Sequence, residues 1–170
     1  FGWMEPNHFD KESANFFLER AKNNVGLIIP GIAPLKDTIG NRWLYQNKKM
    51  FKELKVFMDE LHKTGAKLFV QLTAGFGRSF AITDPLAKLY NTPLRTLMKP
   101  VLDLSYLCAS PSELPSRWAE NVTCRALTKK EIDEMVEAFA KTAALCKEAG
   151  VDGVEIHAVH EGYLIDQFTM

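Results

Sequence analysis

Apolar side chains recur at helical spacing in three segments of the chain, and each segment leads into a short apolar stretch typical of a β-strand. The predicted helices cover residues 11–23, residues 48–63 and the segment from Thr128 to Gly150. The predicted strands cover residues 25–29, 67–72 and 151–157. Short connections between each helix and the strand that follows it favour a parallel sheet covered by helices.

Each predicted helix carries an apolar stripe that we expect to be buried. The stripes consist of Phe16, Phe17 and Ala21 in the first helix, Phe51, Leu54, Phe57, Met58 and Leu61 in the second, and Ile132, Met135, Val136, Phe139, Ala143 and Cys146 in the third. Thr128 followed by Glu131 is a capping-box pattern, in which the two side chains satisfy free amides of the first helical turn. The third helix is therefore the best marked.

The connections that follow the strands are much longer than those that precede them. Residues 31–47 and 73–126 follow the first and second strands, and the longer segment is rich in proline, serine and aromatic residues. Long connections on one side only are typical of a (β/α) barrel whose working face carries the loops, and an open doubly wound sheet is the alternative. Such barrels need roughly 250 residues, so we predict a single, incomplete barrel domain of the α/β class over residues 1–170.

Alternation along the strands assigns their side chains to two faces. In the second strand Gln71 is predicted to face the barrel interior near its mouth, where an amide suits a planar heterocycle that displays donors and acceptors along one edge. Gly153, Glu155 and His157 are predicted to face inward from the third strand, and Val154 and Ile156 outward. Because an unpaired carboxylate inside a barrel is costly, we interpret Glu155 as the structural partner of a basic or polar group.

Two histidines and a tyrosine follow the last strand. A metal site formed by His157, His160 and Glu161 is one interpretation, but H-x-x-H on a loop lacks the i, i+4 helical spacing of zinc hydrolases. The alternative, which we favour, is that both imidazoles donate hydrogen bonds to an oxygen of a substrate or cofactor. Tyr163 lies six residues after His157 and adds a hydroxyl to the same stretch. We predict no metal.

Composition narrows the class of protein further. The chain has 21 basic and 21 acidic residues, which gives no electrostatic reason to expect nucleic acid or an anionic membrane as a partner. No apolar run is long enough to cross a bilayer. Cys108, Cys124 and Cys146 show no close C-x-x-C spacing, and Cys146 lies on a helical stripe. We therefore expect a buried thiol in a reducing cytoplasm.

Several separated motifs resemble the Old Yellow Enzyme family of flavin oxidoreductases, in the branch of 2-enoate reductases, 2,4-dienoyl-CoA reductases and bile-acid-inducible flavin oxidoreductases. The run EIHAVHEGYLIDQF resembles the family's fourth-strand motif. The run ERAKNNVGLIIPGIAP resembles its second strand, KLFVQLTAGFGR its third strand, and CRALTKKEIDEMVEAFAKTAALCKEAGVDGVEIH its third helix and fourth strand. The resemblance implies a partial TIM (β/α)8 barrel that covers strands 2 to 4.

The resemblance also implies roles for individual residues. Gln71 matches the glutamine at the edge of the FMN ring, and the backbone of Gly31, Ile32 and Ala33 matches the segment beside the flavin. His157 and His160 match the pair that binds the substrate's electron-withdrawing oxygen. Tyr163 matches the acid that protonates the carbon alpha to that oxygen's carbonyl.

The family's reaction is hydride transfer from NADH or NADPH to FMN, and then to the beta carbon of an activated alkene such as an enoate, an enoyl-CoA or a 3-oxo steroid, or the reverse desaturation. Two imidazole donors suit a developing enolate. A phenol, with a pKa of about 10, stays protonated at neutral pH and can release its proton to that enolate.

The same resemblance sets expectations for the whole protein. Larger members of the branch carry a [4Fe-4S] cluster, but its cysteines and the site for the FMN phosphate are not in this chain. We therefore expect the isolated chain to bind FMN weakly or not at all. We expect a small-molecule alkene as the partner. The full-length protein that contains this chain can form a homo-oligomer in this interpretation. A non-catalytic fragment, or a half-subunit completed by a partner chain, is the alternative.

Overall fold

The computed structural model of the chain describes residues 3–37, 41–158, 160 and 162–169. Its helices are α1 (Lys11–Lys22), α2 (Lys48–His62), α3 (Asp84–Tyr90), α4 (Leu94–Met98), α5 (Leu104–Leu107) and α6 (Lys129–Glu148). Its strands are β1 (Leu27–Ile28), β2 (Ala33–Pro34), β3 (Lys67–Thr73), β4 (Leu114–Pro115), β5 (Thr123–Cys124) and β6 (Gly153–Ile156). The three long helices and the three parallel strands that the sequence predicts are all present.

The described residues form two compact units. The first comprises the described parts of Phe1–Leu35, Trp43–Thr73 and Val136–His157. The second comprises the described parts of Lys36–Arg42, Ala74–Met135 and Ala158–Met170. The prediction of one domain over residues 1–170 stays a prediction.

Strand β3 is the centre of the sheet in the first unit. It pairs in parallel with β1 at its start, with β2 at its end and with β6 along its length. Leu72 is opposite both Ala33 and Ile156, so β2 and β6 lie on opposite sides of β3. A (β/α) barrel requires neighbouring strands that are parallel and that follow one another along the chain, and β2, β3 and β6 are arranged in this way.

The helix stripes are confirmed for α2 and in part for α1 and α6. All five predicted residues of α2 are buried, and they lie in the same unit as Leu68, Val70 and Leu72 of β3, which are fully buried. Phe16 and Val136 were expected to be buried, but they are 52% and 64% exposed, so this prediction is wrong for both. In α6, Ala138 and Thr142 are buried instead of Val136. None of the helices in the described ranges is long and apolar enough to cross a lipid bilayer.

Asp152 fastens the amino-terminal ends of two strands to a helix in the first unit. Its carboxylate accepts hydrogen bonds from the amide of Leu68 at 3.0 Å and from His62 Nε2 at 2.9 Å, and Lys67 Nζ lies 2.9 Å away. Burial alone would raise the pKa of Asp152, but these donors lower it. The backbone amide of Asp152 donates to the carbonyl of Leu68, so one residue fixes the register of β3 and β6.

The long connection after β3 has secondary structure of its own. It contains helices α3, α4 and α5 and an antiparallel pair formed by β4 and β5. These elements share a small core in the second unit, composed of Ile82, Ala87, Tyr90, Leu104, Cys108, Val122 and Cys124. Cys146 is buried in the first unit, as predicted, and burial raises the pKa of its thiol to about 12.

The predicted capping box at the start of α6 is confirmed and extended by an arginine. The amide of Glu131 donates to Thr128 Oγ1 at 3.2 Å, and the amide of Thr128 donates to Glu131 Oε2 at 2.9 Å. Arg125 binds both carboxylate oxygens of Glu131, at 2.6 and 2.9 Å. Although burial favours the neutral acid, these hydrogen bonds lower the pKa of Glu131 to about 2.

Replacing Glu131 tests this cap. Because its pKa is lower in the folded chain than the ordinary value of 4.5, the carboxylate stabilises the fold above that value and loses its effect as the pH falls toward 2. We expect Glu131→Gln to lower the free energy of unfolding by about 1 kcal/mol at pH 7 and by less at pH 3, measured by urea denaturation. Glu134→Gln is the matched control, because Glu134 makes a looser ion pair, with exposed Lys130 at 3.8 Å. Equal losses for both variants at pH 7 would contradict the assignment.

Candidate functional site

The carboxyl-terminal ends of β2, β3 and β6 meet at one edge of the first unit. The amide of Leu35, just after β2, donates to the carbonyl of Thr73 at 3.0 Å, and the amide of His157, just after β6, donates to the carbonyl of Leu72 at 2.9 Å. His157 follows β6 at this edge, Gln71 lies in β3 two residues before its end, and Ala33 begins β2 directly after Gly31 and Ile32. The sequence predicted these five residues for one site.

The predicted alternation of faces in β3 and β6 is confirmed. Gln71 is opposite Glu155, and its Nε2 donates a hydrogen bond to Glu155 Oε1. Phe69 is opposite Gly153, and its ring lies so close that a Cβ at Gly153 would clash with it. The polar partner predicted for Glu155 is thus Gln71 of the same chain.

The opposite face of β6 is less buried than predicted. Val154 is partly buried, whereas Ile156 is 56% exposed. Alternation fixes the face on which a side chain lies, but burial also needs a neighbour that covers that face.

The backbone segment before β2 is open on one side. Gly31 is exposed, and a Cβ placed there would meet nothing within 4 Å. Ile32 is partly buried and Ala33 is fully buried, where β2 pairs with β3. The segment therefore offers free space beside a fixed strand.

The predicted histidines lie in different units. His157 belongs to the first unit, where it is partly buried and its Nδ1 atom is shielded from solvent. His160 and Tyr163 belong to the second unit, where their ring centroids are 4.9 Å apart with an interplanar angle of 40°. The ring of Phe76 packs edge-on against Tyr163 at 4.7 Å. The structure thus brings His160 and Tyr163 together beside an aromatic side chain.

A buried carboxylate shapes the loop that holds this pair. Asp166 is 8% exposed, and its Oδ2 accepts the backbone amides of His160 and Gly162, each at 3.0 Å. Gly162 has a φ of +77°, a conformation that favours glycine. The amide of Tyr163 donates to the carbonyl of His160 at 3.1 Å. Asp166 therefore holds the turn from which His160 and Tyr163 project.

Gln167 joins this turn to the segment that follows β3. Its Nε2 donates to the carbonyls of Phe76 at 3.0 Å and Gly162 at 2.6 Å, and its Oε1 accepts the amide of Arg78 at 3.2 Å. Neither Asp166 nor Gln167 was predicted for the site, although both lie within the run EIHAVHEGYLIDQF. Their partners lie at spacings that form no local pattern, and for Gln167 they include residues about 90 positions earlier.

A cavity of about 370 Å³ lies beside Tyr163 in the second unit. Aromatic side chains of Phe76, Phe80 and Trp118 line it, together with Arg117. The sequence predicts residues 73–126 only as a long connection on the working face of the barrel, and none of these four residues was predicted for the site. The cavity has the mixture of apolar walls and few polar groups that is typical of small-molecule sites.

A metal centre finds no support in the described part of the chain. No group of three His, Cys, Asp or Glu side chains there is placed to hold a metal ion. Glu161, the third ligand of the metal interpretation, lies outside the described residues.

The sequence is similar to those of known oxidoreductases. The sequence model of the NADH:flavin oxidoreductase / NADH oxidase family matches residues 4–170. A cinnamate reductase from Clostridium sporogenes is 39% identical over 95% of this chain and 23% of its own length. A metal reductase from Desulforamulus reducens is 32% identical over 98% of this chain and 22% of its own length.

The fold is similar to that of a solved flavoenzyme. The crystal structure of Old Yellow Enzyme from Pichia sp. AKU4542 matches with a TM-score of 0.64 and 25% identity, over 92% of this chain and 39% of that one. The β-strands and helices therefore form part of a TIM barrel. The chain spans about a quarter of the length of the two curated relatives named above.

Replacing Gln167 tests whether it joins the two segments. Gln167→Leu keeps the size of the side chain but leaves two carbonyls and one amide without their partner, so we expect a loss of about 2 kcal/mol or more in the free energy of unfolding, measured by urea denaturation. Gln46→Leu is the control, because Gln46 accepts one hydrogen bond, from the amide of Trp43 at 2.9 Å. A loss no larger than that of the control would contradict the role of Gln167.

Proposed function

Because the chain belongs to the NADH:flavin oxidoreductase / NADH oxidase family, we propose that the protein containing it reduces activated C=C bonds with FMN as cofactor and NADH or NADPH as reductant. When bound, FMN supplies the hydride that reaches the beta carbon of the alkene. The similarity to a cinnamate reductase favours a 2-enoate as substrate over an enoyl-CoA or a 3-oxo steroid. A cytoplasmic location and a [4Fe-4S] cluster elsewhere in the protein stay predictions.

The residues at the carboxyl-terminal edge of the first unit fit the edge and one face of a flavin ring. Gln71 donates its Nε2 hydrogen to Glu155, and its Oε1 accepts no hydrogen bond from the described residues, so an acceptor is available for a ring N–H. Gly31 leaves space beside the backbone. In this proposal Gln71 binds the ring edge, and the backbone of Gly31, Ile32 and Ala33 lies along the ring.

The contact between His160 and Tyr163 beside an aromatic cavity is the observation that carries the proposal. His157 and His160 are assigned to the oxygen of the substrate's activating group, where negative charge develops as hydride arrives. Tyr163 is assigned to the alpha carbon, to which its phenol delivers a proton. Asp166 and Gln167 act only through the loop, as positioning residues.

The proton transfer is tested by Tyr163→Phe, which removes the hydroxyl and keeps the ring that packs on Phe76. We expect the rate at which prereduced protein is reoxidised by cinnamate to fall by about 10²- to 10⁴-fold, in stopped-flow measurements of flavin absorbance. Reduction of the flavin by NADH should stay within a few-fold of the original rate, because it needs no proton from Tyr163.

Tyr45→Phe is the control for the same chemical change, because Tyr45 stacks on Trp43 and has no role in the proposed site. If Tyr163→Phe and Tyr45→Phe were reoxidised at equal rates, Tyr163 would not be the acid. If the protein with its own FMN reduced no enoate, enone or enoyl-CoA at all, the proposed function would fail.

The position of the flavin is tested at Gly31. The side chain of Gly31→Leu would enter open space in the chain itself, so we expect little change in the free energy of unfolding. The same side chain would occupy the space assigned to the ring, and we expect FMN affinity to fall by about 10-fold or more, measured by quenching of flavin fluorescence. Gly26→Leu is the matched control, because Gly26 is also exposed and open on its Cβ side. Equal FMN affinities of the two variants would place the ring elsewhere.

A further inference from the structure

We propose that Cys108 and Cys124 form a redox modification site, at which hydrogen peroxide joins the two thiols in a reversible disulfide. The bond closes a loop over residues 109–123, which contains Arg117 and Trp118 of the cavity wall. The proposal concerns the mobility of that wall, and it is independent of the reaction assigned to Tyr163.

The first argument is the position of the two cysteines in one small core. Both side chains are fully buried, and both belong to the apolar cluster of the second unit that also contains Tyr90 and Val122. Cys108 directly follows α5, and Cys124 ends β5. Sixteen positions of sequence separate two thiols that pack in the same cluster.

The second argument is the pairing of the backbone segments that carry them. Ser110 and Ala126 form a parallel β-bridge, in which the amide of Ser110 donates to the carbonyl of Arg125 at 3.0 Å. Cys108 and Cys124 each lie two residues before a bridged position. Neighbouring strands lie about 5 Å apart, which is close to the Cα separation of about 5.5 to 6 Å that a disulfide needs. The bridge therefore holds the two cysteines at a separation suited to a bond.

The third argument is that the two thiols differ from each other and from the third cysteine. The neighbouring thiol of Cys124 lowers the pKa of Cys108, although burial opposes this shift, whereas Cys108 and burial both raise the pKa of Cys124. Burial raises the pKa of Cys146 to about 12. Because the thiolate is the form that reacts with peroxide, we assign the first attack to Cys108 and the second step to Cys124.

A small oxidant reaches these buried thiols through local opening of the elements that cover them. Helix α5 has four residues and strand β5 has two. Elements this short open at a lower free energy than long helices and central strands. Hydrogen peroxide is close to water in size, so a brief opening is enough to admit it.

The chemistry needs one molecule of peroxide for each disulfide. The Cys108 thiolate attacks one oxygen of hydrogen peroxide, the O–O bond breaks, hydroxide leaves and a sulfenic acid forms. The sulfur of Cys124 then attacks the sulfur of Cys108, the S–O bond breaks, and the hydroxyl group leaves with the thiol proton as water. Two thiols are oxidised by two electrons, peroxide is reduced, and the products are one disulfide and two molecules of water.

The disulfide constrains a loop that noncovalent contacts already shape. The amide of Ser116 donates to the carbonyl of Val122 at 2.8 Å, and Trp118 Nε1 donates to the carbonyl of Ser79 at 3.1 Å. Trp118 is nevertheless 58% exposed. A covalent bond across the base of the loop removes many of its open conformations, so we expect oxidation to make the wall less mobile.

The bond is tested by peptide mapping of the full-length protein that contains this chain. The protein is treated with hydrogen peroxide, its remaining thiols are blocked with N-ethylmaleimide in denaturant, and it is digested with trypsin. Cleavage after Arg117 separates Cys108, in the peptide 96–117, from Cys124, in the peptide 118–125. We expect mass spectrometry to show these two peptides joined as the main product, and dithiothreitol to separate them.

Cys146 is the internal control, because it is as fully buried as the pair but lies in the first unit. We expect its peptide, 142–147, to carry N-ethylmaleimide after the same treatment. Absence of the joined peptides, or oxidation of Cys108 to no greater extent than Cys146, would overturn the proposal. This measurement uses the unaltered protein and does not depend on the stability of any variant.

Two variants test the order of the steps. In Cys124→Ser we expect Cys108 to stop at the sulfenic acid, which dimedone captures as a thioether. In Cys108→Ser we expect Cys124 to stay a thiol under the same conditions. Equal reaction of the two remaining cysteines would contradict the assignment of the first attack to Cys108.

Hydrogen exchange followed by mass spectrometry tests the effect on the wall. We expect amides of residues 109–123 to exchange about 10-fold or more slowly in the oxidised protein than in the reduced protein. Amides of α2 (Lys48–His62), in the first unit, are the control and should change by less than about 2-fold. Equal exchange of residues 109–123 in the two forms would overturn the effect of the disulfide on the wall.

Discussion

The pairing of Leu72 with strands on both of its sides is the constraint on which the arrangement of the first unit depends. Leu72 is opposite Ala33 and Ile156, and its carbonyl accepts the amide of His157. Because the three strands are parallel, this one register brings all of their carboxyl-terminal ends to the same edge. A shift of one residue would turn Gln71 away from Glu155 and move Leu72 out of the core. Core packing and the placement of the proposed flavin contacts are thus set together.

Helices and strands could be predicted where apolar residues recur regularly over a long segment. The burial of their side chains could be predicted only where the contacting residues lie in the same or the adjacent element. The stripes of α2 and the capping box of α6 are confirmed because each depends on contacts within a helix or with the adjacent strand. Phe16 and Val136 lie at correct helical spacing but are exposed, because spacing does not reveal whether a neighbour covers that position. Helices α3 to α5 have four to seven residues, too few to show a period, so the segment after β3 could be predicted only as a long connection.

The candidate site also contains residues that the sequence predicts and residues that it does not. Strand alternation is enough to place Gln71 and Glu155 on one face, and the resemblance to a family is what suggests roles for His157, His160 and Tyr163. Asp166 and Gln167 could not be predicted, because they bind backbone groups at irregular spacings, whereas Thr128 and Glu131 bind each other's amides at the regular spacing of a capping box. Gln167 alone meets the amide of Arg78 and the carbonyls of Phe76 and Gly162. Residues that position a loop through such backbone contacts therefore cannot be recognised from the sequence of the motif.

The groups assigned to the reaction and the walls of the cavity come from different kinds of segment. The groups assigned to the flavin and to charge development project from strand ends and from the turn held by Asp166, where hydrogen bonds fix the backbone. The walls of the cavity come mainly from the segment after β3, whose elements are short and irregular and tolerate change more readily. Relatives as different in name as a cinnamate reductase and a metal reductase match the chain along nearly its whole length. The backbone that holds the assigned groups is therefore the part of the chain that we expect relatives to share, and the side chains that line the cavity are the part that we expect to differ between them.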